Sequence, residues 1–302
     1  MSLLCATIAF AVDPLEQAID ARHAGNFSGA AAYLDVVRPL VDPEDEARWN
    51  LERGLAEELQ WRPGEAEPYY RAAVMAGGPA AAEAQFHLVV VLDDLGRHAE
   101  AHAELAALLD TPGLAPEFVP VLQLQAGILD LHGGKASRGA RRIRARVDGV
   151  EASGMHPWMV GRARTALIDS YAASANALEF DTTEGRQKRN LAKRVRLVQD
   201  AEAQMYAVFK TDEPEWITGS LLVVGRAYED LADDLAQARP PSRLRGEQVD
   251  VFRTEVATRA EAPRTKAFNC YDKGVEVAAR LGWTSPAVLA LREERETLAA
   301  VR

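Results

Sequence analysis

Apolar residues recur three, four and seven positions apart through most of the chain. Leu34 and Val37, Tyr70 and Ala73, and Leu105 and Leu108 follow this spacing in the first half. Leu167 and Tyr171, then Ala201, Met205 and Val208, then Ala267, Tyr271 and Val275 continue it in the second half. Such spacing gathers apolar side chains on one face of an α-helix. No stretch alternates apolar and polar residues for long enough to require a strand. The pattern therefore predicts an all-α chain, with helix almost throughout.

Turn signals cut the helical pattern at regular intervals. Gly25-Asn26-Phe27-Ser28-Gly29-Ala30 precedes one apolar stripe, Arg62-Pro63-Gly64-Glu65-Ala66 a second, and Gly96-Arg97-His98-Ala99-Glu100-Ala101 a third. Asp42-Pro43, Pro79 and Pro112 follow those stripes. The small residues Ala30, Ala66 and Ala101 fall one period apart, and Gly139, preceded by Gly133-Gly134, is a looser fourth. A glycine or polar turn ends one helix and a small residue lets the returning helix come close. Each hairpin then keeps an uncovered apolar face, so neighbours must stack. The period of about 34 residues resembles the tetratricopeptide repeat (TPR), which implies an α-solenoid of antiparallel helix hairpins.

Beyond residue 150 the hairpins lengthen. Residues 158–180 read as one long helix, 180–187 as a polar break and 191–209 as a second helix. Asp212-Glu213-Pro214 opens a third that carries Leu221, Gly225 and Tyr228, the small-and-aromatic trio of a first repeat helix. Arg239-Pro240-Pro241-Ser242 predicts a break, with an inserted helix over 247–259 before the stripe at Ala267, Tyr271 and Val275. Ser285 is read as the N-cap and Pro286 as the first residue of a terminal capping helix, 287–301. The expected organisation is a leader over 1–12, TPR-like repeats over 13–150, and a degenerate TPR-like region over 151–302.

Several pieces of the second half resemble a narrower group. They are the basic stretch 188–194, Ala201-Glu202-Ala203, Asp212-Glu213-Pro214-Glu215-Trp216, Gly225-Arg226-Ala227-Tyr228-Glu229-Asp230, the Pro240-Pro241 break and Leu281-Gly282-Trp283. In this order they resemble the C-terminal half of the TPR proteins of myxobacterial envelope gliding-motility machinery. That resemblance implies a periplasmic or envelope-associated scaffold and carries over no catalytic residue. It departs at the last turn, where this chain has Trp283-Thr284-Ser285-Pro286.

Charge and composition narrow the partners. The formal charge is −10, which repels phosphate backbones and argues against nucleic acid as a partner. The apolar run 3–12 ends in Ala9-Phe10-Ala11, which fits a signal peptide cleaved after Ala11, although no Lys or Arg precedes it. The competing readings are a first helix or a wrongly assigned start codon. No other stretch approaches the roughly 20 apolar residues of a spanning helix. Cys5 and Cys270 cannot form an internal disulfide once the leader is removed, and they give no zinc pattern.

Candidate chemistry is sparse. His98 and His102 stand at i and i+4, but His-Ala-Glu-Ala-His is not a zinc-protease motif and no third ligand lies near in sequence, so neither metal nor cofactor is expected. Gly133-Gly134-Lys135 lacks the Ser or Thr of a phosphate loop and reads as a helix–turn–helix. The basic clusters 138–146 and 186–196 read as solvated helix faces, with docking to an acidic partner or anionic headgroups as the alternative. Trp49, Trp61, Trp158, Trp216 and Trp283 read as hairpin packing. Repeat arrays of this kind bind along their first helices. The outward positions there are Arg22, His23, Arg48, Glu58, Asp93 and Asp94. The expected function is a non-catalytic scaffold for protein or peptide partners in an envelope complex. A cytoplasmic peptide-binding adaptor and a helical lytic enzyme are the alternatives; no small-molecule substrate is expected.

Overall fold

The computed structural model describes residues 14–178 and 184–300. The leader and its Ala11 site lie outside the described residues, as does the first half of the predicted polar break, 180–183. Helices dominate the described residues, and no strand occurs among them. The chain forms two compact units, Met1–Gly134 and Lys135–Arg302.

The first unit is a run of hairpins. Helices α1 (Pro14–His23) and α2 (Phe27–Val37) form the first, α3 (Glu46–Glu58) and α4 (Pro63–Ala76) the second, and α5 (Ala81–Asp94) and α6 (His98–Leu109) the third. Helix α7 (Val119–His132) packs on α5 and α6. Each odd-numbered helix also touches the next odd-numbered one, so α3 and α5 are enclosed on several sides. All residues from Leu51 to Glu57 are buried, charged ones included, as are those from Leu88 to Asp93.

The three turns inside these hairpins, and the turn after α7, share one local solution. Gly25, Trp61, Gly96 and Gly134 each adopt a left-handed backbone, with φ of 77°, 63°, 74° and 78°. The following amides of Asn26, Arg62 and Arg97 donate five residues back, to the carbonyls of Ala21, Glu57 and Leu92. This closes the first helix of each hairpin with a Schellman turn. The returning helix starts from local signals too. Asn26 Oδ1 accepts from the Gly29 amide at 3.0 Å, and Pro63 sits in the first turn of α4.

The second unit is built around α12 (Pro214–Ala236), which packs on α10 (Pro157–Asn176), α11 (Glu184–Val208), α13 (Glu247–Leu281) and α14 (Pro286–Ala300). Two short helices, α8 (Ala136–Arg144) and α9 (Val147–Ser153), contact α10, which is why they group with this unit although the repeat phrase extends to residue 150. The capping helix starts as the sequence predicts, with Ser285 Oγ accepting from the Val288 amide at 3.3 Å. Two expectations are corrected. Helix α11 already runs from Glu184, so 184–187 is helix rather than break. The predicted insert 247–259 is not a separate helix: α13 runs unbroken for 35 residues through Pro263. Proline inside a helix removes one hydrogen bond and costs about 3 kcal/mol. Here Pro263 is buried beside Ala260 and Ala267, and the long packing seam of α13 on α12 offsets that cost.

Candidate functional site

Polar side chains link the first helices of the N-terminal unit in series. Arg22 of α1 donates to Glu52 of α3 through Nε at 2.9 Å. Glu58 of α3 accepts from Tyr70 OH at 2.5 Å and lies 2.9 Å from His87 Nδ1 on α5. Asp93 of α5 accepts from Gln125 Nε2 of α7 at 3.2 Å. Each link ties the C-terminal end of one first helix to the body of the next. A polar group so enclosed is tolerated because it is hydrogen-bonded.

The environment of this ladder perturbs its titrating groups. Burial alone would lower the His87 pKa, but the Glu58 charge and hydrogen bond, with Glu83 adding to them, hold it above the usual histidine value. Burial and the Glu58 carboxylate push the Tyr70 phenol well above its ordinary range. Glu58 is therefore a structural acceptor between three helices.

At the far end of the ladder, Asp93 stands at a convergence of three elements. Its Oδ1 lies 3.0 Å from His98 Nδ1, at the start of α6, and 2.9 Å from His132 Nδ1, at the end of α7. The Asp93 carboxylate is fully buried, while the two imidazoles are about one-third exposed, at 31% and 36%. His102 lies 4.0 Å from Asp130 on the same side of α6 and α7. The sequence looked for a partner of His98 along its own helix; the structure supplies it from α5 and from α7.

The six residues predicted to face a partner divide. His23 and Asp94 are exposed at the ends of α1 and α5. Arg48 is half-buried and its Nη2 donates to Glu16 at 2.5 Å. Arg22 and Glu58 are half-buried within the ladder. Asp93 is not outward: its carboxylate points into the α5–α6–α7 junction, because α7 covers that face of α5.

Two surface features were not legible in the repeat phrase. Trp61, read as packing, is exposed at 41% in the turn between α3 and α4. It takes the left-handed position that Gly25, Gly96 and Gly134 fill in the other turns. Such a backbone costs a non-glycine residue about 1–2 kcal/mol. Beside this turn, a groove of about 600 Å³ opens between α3 and α4, lined in part by Arg53, Glu57, Glu65 and Tyr69. The other tryptophans follow expectation more closely: Trp49 is buried with Nε1 on the Leu34 carbonyl at 2.9 Å, and Trp158 meets Trp216 edge to face.

Charge is unevenly divided. Residues 1–134 hold 21 Asp and Glu against 7 Lys and Arg, whereas 135–302 hold 24 against 28. The N-terminal unit thus carries a net −14 and the other +4. In the second unit, several basic residues are held inside. Arg164 is buried against Asp148, Glu151 and Gln204, and Arg194 against Asp234 and Asn176. Arg186, Lys188, Arg189, Lys193 and Arg196 are exposed, as a solvated helix face requires, whereas Arg194 is the buried exception in that run. Burial pushes the Cys270 thiol up to about 12, which leaves it protonated and unreactive.

Compared with family models and with curated proteins, the sequence matches none. Among the described residues, no helix is long and apolar enough to cross a membrane.

Proposed function

We propose that this protein is a non-catalytic, TPR-like scaffold that binds other proteins, and that its N-terminal unit takes a Lys/Arg-rich segment of a partner. Trp61 carries the reading. A large aromatic side chain is kept exposed, on a backbone that three equivalent turns fill with glycine. Strain of this kind points from an outlier to a use, and tryptophan is among the residues most often found at the energetic centre of interfaces. The chemistry of the partner follows from charge. The unit is strongly acidic, exposed Glu65 lines the adjoining groove beside the ion-paired Arg53 and Glu57, and the helix ends at His23, Glu58 and Asp94 add the negative ends of their dipoles.

The cellular setting rests on the leader and on the resemblance of the second half to envelope gliding-motility scaffolds. In this reading the chain is exported and serves an envelope complex; a cytoplasmic adaptor is the alternative. Mass spectrometry of the N-terminus of the native protein separates them, since cleavage after Ala11 is expected only on export.

The binding reading is tested by pull-down from the native host with wild-type chain, Trp61→Gly and the charge reversal Asp94→Lys. A partner retained by wild type and lost by both variants is identified, and its most basic segment is made as a synthetic peptide. That peptide is expected to bind the full chain with an affinity that falls with salt and drops at least about tenfold in Trp61→Gly. Partners that all remain bound to both variants, or that contain no basic segment, would reject the proposal.

A further inference from the structure

Asp93, His98 and His132 bring one carboxylate and two imidazoles to a common point, their ligand atoms all within 4.8 Å of one another. The same oxygen, Oδ1 of Asp93, faces both Nδ1 atoms at 3.0 and 2.9 Å. Ligand atoms around a first-row divalent ion at metal–ligand distances near 2.1 Å stand roughly 3.0–3.4 Å apart, so the two Asp93–imidazole separations need to open by only a few tenths of an ångström to admit one, and the two imidazole ligand atoms already lie within 4.8 Å of each other. We propose that these three residues form a binding site for one divalent cation of the zinc class, which ties α7 to the α5–α6 hairpin. This inference is independent of whether the N-terminal unit takes a basic peptide.

Three further observations support it. The second oxygen of Asp93 accepts from Gln125 Nε2 at 3.2 Å, and Gln125 is itself fully buried. That amide fixes the rotamer of the carboxylate from behind, as outer-shell partners do at metal centres. The carboxylate is closed to solvent while both imidazoles are partly open, so a cation has an entry path and water can complete its coordination. The surrounding unit carries a net −14, which concentrates cations. Two nitrogens and one oxygen select zinc, cobalt or nickel over calcium and magnesium, which prefer oxygen alone. On binding, each imidazole offers its Nδ1 lone pair and carries its proton on Nε2, and any proton held on Nδ1 leaves to solvent.

The test uses the full chain without a histidine tag, stripped with a chelator and titrated with Zn(II), and with Co(II) for its ligand-field spectrum. One equivalent is expected to bind, to raise the thermal midpoint and to slow amide exchange in α7. His98→Ala and His132→Ala are each expected to weaken that binding at least about a hundredfold, while His102→Ala leaves it unchanged. The imidazole variants carry the test because Asp93, being buried, can fail for reasons of folding. Absence of saturable binding to the wild-type chain overturns the proposal. So does an equivalent that survives in the His98→Ala/His132→Ala double variant, or binding that leaves α7 exchange unaltered.

Discussion

The ring of Tyr70 lies directly over Gly54, so that a Cβ placed on Gly54 would stand 2.5 Å from Tyr70 Cε1. The same arrangement recurs in the second unit, where a Cβ on Gly225 would stand 2.3 Å from Tyr271 Cε1. In both cases the tyrosine hydroxyl donates to a glutamate one turn beyond the glycine, Tyr70 to Glu58 at 2.5 Å and Tyr271 to Glu229 at 2.6 Å. A fully buried alanine stands one turn before each tyrosine, Ala66 and Ala267. The two units thus share one device for bringing a helix pair into close contact.

Adding a methyl group at either glycine forces the ring aside. Gly54→Ala and Gly225→Ala are each expected to destabilise the chain by about 1–3 kcal/mol, the usual consequence of overpacking. Gly219, inside α12, has nothing within 4 Å of its added Cβ. Gly219→Ala is therefore expected to stabilise by about 0.5–1 kcal/mol, through helix propensity alone. Denaturant midpoints of the three variants decide the matter; a shift of the same sign at all three positions would sink the close-contact account.

Trp61 predicts the reverse trade. Replacing it with glycine relieves the left-handed strain of about 1–2 kcal/mol, and the greater freedom of the unfolded chain returns about 0.5–1 kcal/mol of that gain. Trp61→Gly is expected to be more stable than wild type by about 0.5–1 kcal/mol, as measured by thermal or denaturant unfolding, while losing partner affinity. A loss of stability in this variant would mean that the indole serves packing, and the binding proposal would lose its main support.

The pair of His87 and Glu58 predicts a pH dependence. The folded-state pKa of His87 is raised. A raised histidine contributes stability that is fully present below its unfolded value, near 6.5, and lost as pH rises through the folded value. The stability difference between wild type and His87→Gln should therefore be larger at pH 6 than at pH 8.5. A difference that is constant over that range, read from thermal midpoints, would show that the histidine acts through packing against Tyr70 and not through its charge.

Much of the helical framework could be read from the sequence because its signals are local. The left-handed glycines at 25, 96 and 134, the N-cap at Ser285 and the prolines in first turns each act within one turn of backbone. The 35-residue helix α13 escaped the same reasoning. Pro263 is a genuine local break signal, and what overrides it is burial along α12, which the sequence does not display.

The candidate sites divide on the same line. The sequence alone determined an all-α chain with regular hairpins at its N-terminal end, since period and turn chemistry are properties of neighbouring residues. It could place His98 only beside His102, four residues along one helix. The tertiary structure decided that His98 instead meets Asp93 and His132, and that Asp93 turns inward while Trp61 turns outward. The Asp93–His98 contact spans only the turn between α5 and α6, but the arrival of His132 and Gln125 depends on α7 covering that face of α5, through packing between residues more than 30 positions apart. Aligning the turns on their left-handed residue is the signal that would have brought Asp93 and His132 to the same end of adjacent helices, since each lies two or three residues before its turn glycine.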